Sequence, residues 1–317
     1  MYYVCFLTLS VMVLLSLAFF TLFERSILSY VQIRSGPNKN SIMGILQPFS
    51  DALKLFSKDF VYLTTANYLI YMLTPFFGLF FSLIMWLIYP FFFHINTFTF
   101  GMLYFICVSS MGVYIFMLSA WAANSSYGML GGLRAIAQSI SYEASLIIIL
   151  MSLMFLINGF NLCNLYYYQK GIWFGFLLFP LMLMLFSSFL AETNRSPFDF
   201  AEGESELVSG FNIEFGGGSF SFLFLSEYSN IMFMSLMINV LFMGSSTGSY
   251  FFYINMVFIM FCFIWIRGTF PRYRYDKLMN LSWTIYLPIS LNILILCINM
   301  TYLMSIFIYM SKVNKSI

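Results

Sequence analysis

Long uninterrupted apolar runs alternate along this chain with short segments that hold nearly all of its charge. A helix that crosses a bilayer needs about 20 consecutive apolar residues. Runs of that kind predict eight spanning helices, at 2–23, 68–93, 101–123, 134–157, 172–191, 220–243, 250–266 and 284–309. The first should stop at the Glu24–Arg25 pair. The second and third part near Asn96, beside His94, the sole histidine. A polar turn, Gly244–Ser249, leads into the seventh. The eighth lies in the uncharged run Ser282–Ser311 and should kink near Pro288. Membrane β-barrel strands alternate over short segments, whereas these runs are continuously apolar. The pattern therefore predicts an all-α, polytopic integral membrane protein with about eight transmembrane helices, organised as one membrane domain over 1–317.

Composition agrees. Of 317 residues, 61% are hydrophobic and 8% charged, against about 25% charged in a soluble domain. So few charges cannot cover a globular surface in water. Residues 2–23 carry no charge and are long enough to span, so the first run reads as a span rather than a cleaved signal. The net charge of +2 comes without any Lys/Arg tract, which excludes a nucleic-acid partner. No two cysteines are spaced as metal or iron–sulfur ligands or as a disulfide framework. Phosphate-binding glycine loops, zinc-protease and nucleophile-elbow motifs are missing as well. The bias toward Phe, Met, Ile, Tyr, Asn and Ser suits an A+T-rich genome such as an organelle's.

Charge is distributed unevenly across the bilayer. Arg25, Arg34, Lys39, Lys54, Lys58, Arg134, Arg195, Arg267, Arg272, Arg274 and Lys277 fall on one side; Lys170, Lys312 and Lys315 fall on the other. The positive-inside rule makes the first side the inner one and puts both termini outside. All 12 acidic residues lie in the inner loops or within spans. One face of the protein therefore holds its chemistry.

In the first inner loop, Gly36-Pro37-Asn38 reads as a turn. After it, Pro48 can open a short helix. Phe49, Leu53 and Phe56 share one face, and Asp51, Lys54 and Lys58 another, which predicts an amphipathic interfacial helix. It serves either as a surface anchor or to set Asp51 at the mouth of a cavity. The loop after the fifth span carries Glu192, Asp199, Glu202, Glu204, Glu206 and Glu214 around one arginine, Arg195. Crowded carboxylates raise one another's pKa and trade protons near neutrality. A solvated acidic loop is the ordinary alternative. Phe198, Phe200, Ala201, Leu207, Val208 and Phe211 are woven between the acids, however, and favour a partly buried site. Without a regular calcium-loop spacing, no metal is expected.

Two acids lie inside spans. Glu143 is nine residues beyond Arg134, about 13 Å along a helix. Glu227 is seven residues beyond Phe220, about 10 Å by the same rise. An ionisable group at such depth costs about 2.5 kcal/mol or more, and such groups face the bundle interior and serve function. Tyr142 and Tyr228 adjoin the two acids and can relay hydrogen bonds. The seventh-loop stretch Trp265–Leu278 reads as a positive anchor, or as an Arg/Tyr clamp for a polar head group or an acidic partner surface.

Five blocks carry a resemblance: IRSGPNK (33–39), QPFSDALKLF (47–56), LGGLRAIAQSISYE (130–143), LAETNRSPFDFAEGESELVSGFNIEF (190–215) and FIWIRGTFPRYRYDKLM (263–279). In order and spacing the chain resembles the subunit-1 family of mitochondrial NADH:ubiquinone oxidoreductase, respiratory complex I, and most closely its arthropod members. The resemblance implies a multi-pass subunit of the mitochondrial inner membrane, with N- and C-termini on the intermembrane-space side and long loops in the matrix. It implies a role in the ubiquinone-access tunnel and in the acidic path that couples quinone reduction to proton translocation. Arg25, Arg34, Phe49, Asp51, Arg195, Phe198, Tyr228 and Arg274 would line the quinone path. Glu143, Glu192, Asp199, Glu202, Glu204, Glu206, Glu227 and Tyr142 would couple protons. No cofactor would be bound covalently; NADH, FMN and iron–sulfur clusters would reside in partner subunits and ubiquinone would be the substrate. Implied partners are peripheral-arm subunits at the quinone site, small and antiporter-like membrane subunits, and lipids including cardiolipin. Competing readings are a stand-alone proton or ion transporter and the homologous subunit of a membrane-bound hydrogenase.

Overall fold

The computed structural model describes residues 2–61, 63–90 and 98–316. The helices are α1 (Tyr2–Val31), α2 (Gln47–Phe56), α3 (Tyr68–Met85), α4 (Gly101–Ala123), α5 (Ser126–Ile157), α6 (Leu162–Tyr168), α7 (Phe174–Leu177), α8 (Phe179–Glu192), α9 (Glu204–Leu207), α10 (Gly218–Phe242), α11 (Tyr250–Thr269), α12 (Tyr275–Asn280) and α13 (Leu287–Ser316). Seven helical segments among the described residues are long and apolar enough to cross a membrane, and α8 is a shorter apolar one. The protein is thus all-helical and polytopic, as its hydropathy predicts.

Two helices form the interior. Of the most apolar stretch of α10, 72% is buried within the chain, against 17% for that of α1. α10 packs against α1, α3 and α11; α5 packs against α4, α8 and α13. Small residues permit the close approaches that membrane helices need in place of a hydrophobic drive. A Cβ on Gly132 would fall 2.3 Å from the Ala120 Cβ of α4. Along α10, Ser221, Ser226, Ser229 and Ser235 each donate to the carbonyl three residues back. Their hydroxyls are thereby satisfied without water. α4 and α5 end on Asn124 and Asn158, both left-handed (φ 51° and 53°), the conformation that asparagine tolerates at a helix end.

Several expected boundaries move. α1 does not stop at Glu24–Arg25 but continues to Val31. Charge does not break a helix, and these two side chains find partners on different elements, Glu24 with Arg267 of α11 and Arg25 with Asp51 of α2. α5 begins at Ser126, so Arg134 lies two turns inside it rather than at its start. The expected span 172–191 is interrupted at Leu178 (φ −121°, ψ 44°). Pro180 explains this, because its ring clashes with the carbonyl four residues back and it lacks a donor. The last span begins at Tyr275 and passes through a π-helical turn, Leu281–Tyr286, just before Pro288. That wider turn accommodates the missing donor at Pro288, where a kink was expected. Residues 91–93 of the expected second span, together with His94 and Asn96, lie outside the described residues.

α2 forms as expected, with Pro48 in its first turn. Phe49, Leu53 and Phe56 remain exposed on its apolar face, as suits a helix lying in a membrane interface. Its opposite edge meets α1, where Arg25 donates to Asp51 at 2.6 Å.

Candidate functional site

The connection from α8 to α10 holds the acid-rich segment, and α5 is the surface on which it folds. A Cβ on Gly131 would meet both the Ala201 carbonyl and the Gly210 Cα at 3.0 Å, so the backbones lie nearly in contact. Gly210 itself has φ +56°, and a Cβ there would fall 1.8 Å from the same carbonyl. Phe198, Phe200, Ala201, Leu207 and Phe211 are all buried. The Phe198 ring lies 6.0 Å from Tyr142 and 5.8 Å from Tyr273, and Phe211 meets Phe116 edge-on at 5.2 Å. These rings hold the acids in place; the segment is not a loose solvated loop.

A cluster of opposite charges sits where α1, α10, α11 and this segment meet. Glu24 is 5% exposed. It pairs with Arg267 at the end of α11 and lies 3.6 Å from Arg195. The Arg195 guanidinium stands over the Tyr228 ring, 4.6 Å from its centre, a desolvated cation–π contact. Burial alone would lower the Arg195 pKa, but Tyr228 and Glu24 beside it raise it instead and keep it charged. Asp199 accepts from Arg272 at 3.2 Å. Burial nevertheless pushes Asp199 above the ordinary carboxylate range, against the pull of Arg272. Glu202 is raised too, first by burial and then by the charge of Asp199, although Asn212 donates to it at 3.2 Å. Glu227 directly precedes Tyr228, whose ring lies against Arg195, along α10.

Deeper between α4, α5, α8 and α10, a cavity of about 30 Å³ is lined by Ser109, Ser139, Glu143, Glu192 and Asn230, among others. Glu192 Oε2 and Asn230 Oδ1 are buried with no hydrogen-bond partner among the described residues. A water needs about 10–15 Å³ and two or more polar partners, so this cavity can seat water between Glu143 and Glu192.

Not every predicted site residue joins these groups. Arg25 and Asp51 pair at the α1–α2 edge, both partly exposed. Arg34 is exposed and bonds Gln32 at 2.8 Å. Arg274 is exposed and pairs with Asp276. Glu206 is exposed and pairs with Arg134. The Glu204 side chain lies outside the described residues. Conversely, sequence reasoning did not single out Glu24. The signal was present: Val13, Leu17, Phe20 and Glu24 form the buried stripe of α1 at 4-3-4 spacing. Arg267 and Arg272, expected to anchor or clamp outward, turn inward to Glu24 and Asp199 instead. No group of three or more His, Cys, Asp or Glu able to hold a metal occurs among the described residues.

Fold and site together define a multi-pass helical membrane protein with ionisable groups buried in its core. The family model for NADH dehydrogenase matches residues 4–298, and the chain belongs to that family. It is 54% identical over 288 residues to NADH-ubiquinone oxidoreductase chain 1 of Aedes aegypti, covering 91% of this chain and 92% of the relative. The protein of the same name from Locusta migratoria is 50% identical over 301 residues, with 95% and 96% covered. That of Myxine glutinosa is 45% identical over 296 residues, with 92% and 93% covered.

Proposed function

We propose that this chain is the membrane subunit of a respiratory NADH:ubiquinone oxidoreductase, complex I, that shapes the ubiquinone path and couples quinone reduction to proton translocation. The relatives' shared name supports the assignment to that complex. One observation carries the coupling role: buried ionisable groups extend from the inner-surface segment (Asp199, Glu202, Arg195) to the bundle (Glu24, Glu227) and to the Glu143–Glu192 cavity. A bundle that served only as scaffold would avoid such groups, because each is costly in a membrane. In this reading Glu143, Glu192, Asp199, Glu202 and Glu227 carry protons. Arg195, Phe198 and Tyr228 shape the inner end of the quinone path, while Arg25, Arg34, Phe49, Asp51 and Arg274 stand at its outer rim. NADH oxidation, with its flavin and iron–sulfur chemistry, belongs to partner subunits. The loops face the matrix and both termini the intermembrane space.

The test is Glu192→Gln in the assembled complex. Proton-coupled quinone reduction should fall about tenfold or more, the scale of one lost acid–base group. Electron transfer from NADH to a water-soluble acceptor, which bypasses the membrane, should not change. Full quinone reduction and full proton translocation in this variant would overturn the proposal. Proton flux through the purified chain alone in liposomes would favour a stand-alone transporter.

A further inference from the structure

One stripe of α5 is a template for the acid segment. Gly131, Arg134, Gln138 and Tyr142 follow the three-to-four spacing of a single helix face. Gly131 abuts Ala201 and Gly210, Arg134 pairs with Glu206, and Tyr142 packs on Phe198. Between them Gln138, fully buried, donates from its Nε2 to the Ala191 carbonyl at 2.8 Å and to the Phe198 carbonyl at 2.8 Å.

The chemistry of that contact is specific. An amide NH₂ has two hydrogens and here meets two acceptors, whereas the flipped amide would set oxygen against both carbonyls. Gln138 Oε1 has no partner among the described residues, so the side chain's hydrogen bonding serves this bridge alone. The two carbonyls stand at either end of the turn that bears Glu192 and Arg195. Ala191 immediately precedes Glu192. Glu143, across the cavity from Glu192, lies five residues beyond Gln138 on the same helix. The bridge therefore ties the backbone of Glu192 to the helix that carries Glu143.

We infer that Gln138 is a positioning residue that holds Glu192 in register with Glu143 across their shared cavity, an inference that rests on the proposed coupling role. Each bridged carbonyl also accepts a backbone donor, Asn194 N to Ala191 O at 3.2 Å and Phe200 N to Phe198 O at 3.1 Å. Loss of the amide thus strands no carbonyl, and the segment keeps its fold while its placement loosens.

Two variants test this in the assembled complex, beside Glu192→Gln. Gln138→Met fills the same space without donors. It should accumulate normally, yet lose quinone reduction per assembled complex about tenfold, as displaced reacting groups do. Gln138→Glu can donate one bond when protonated and repels both carbonyls when ionised. Its activity should recover as pH falls, a profile that Gln138→Met lacks; this variant carries the test alone should Gln138→Met fail to accumulate. Wild-type turnover per complex in Gln138→Met would overturn the inference. So would a Gln138→Glu pH profile identical to that of wild type. If Glu192→Gln is impaired while Gln138→Met is not, only the role of Gln138 falls. If Glu192→Gln itself is unimpaired, the coupling role falls first.

Discussion

Replacing Glu24 by Gln removes the carboxylate between Arg195 and Arg267 and changes little else in shape. The side chains of Glu24, Arg195 and Arg267 are 6%, 12% and 37% exposed. The Arg267 side of the cluster reaches solvent, so its share is screened to about 0.5 kcal/mol. Arg195 is different. Stripping one partner from a buried pair costs about 3–5 kcal/mol, chiefly because the remaining charge is stranded. The Tyr228 ring and the field of Glu227 stay with Arg195, which places the expected loss near the lower end, at about 3 kcal/mol. Its neighbour offers the control. Arg25 and Asp51 are 53% and 34% exposed, so Arg25→Gln should cost less than about 1 kcal/mol. The assay is the half-life of quinone-reductase activity on heating, with the amount of assembled complex measured in parallel, because a large membrane assembly unfolds irreversibly. A loss of about 3 kcal/mol corresponds to roughly a hundredfold faster opening. Adding Arg195→Met to Glu24→Gln removes the stranded charge and should restore a large part of the loss, a coupling that contacting residues show. The reasoning is refuted if Glu24→Gln inactivates no faster than Arg25→Gln.

Two further outcomes follow from the same geometry. Gly210→Ala should cost more than about 3 kcal/mol, since φ is positive and the new Cβ strikes backbone already packed on Gly131; Gly171→Ala, with open space at its Cβ, should leave the amount of assembled complex unchanged. Asp199 and Glu202 have folded pKa values above their unfolded ones, so the folded chain holds more protons than the unfolded one in that window. The stability they lend is present below the ordinary carboxylate range, about pH 4, and is lost as pH rises through the raised values. The double variant Asp199→Asn, Glu202→Gln should flatten the pH profile of thermal inactivation just above that range; an unchanged slope would contradict the shifts.

That the chain is all-helical and polytopic follows from the linear pattern; the count does not, because one of the eight expected runs, 172–191, breaks at Leu178 and seven long apolar helices remain among the described residues. Hydrocarbon tolerates few charges and every backbone donor in it must be satisfied within a helix, so apolar runs report spans directly. The inward aim of Glu143, which lines a cavity with Glu192, was legible for the same reason, since an acid facing lipid would cost too much to keep. What the pattern could not carry were relations between distant segments. Glu24 looked like the end of a helix and proved to be a centre, because its partners lie 171 and 243 residues away, at Arg195 and Arg267. The Gln138 bridge spans 53 and 60 residues, and nothing local distinguishes that glutamine from any other. Hydropathy is a property of each residue against its solvent, so the chain alone determined where it meets lipid. Pairing is a property of two surfaces brought together, so only the packed bundle decided which charges neutralise each other and which acids are left sharing a cavity.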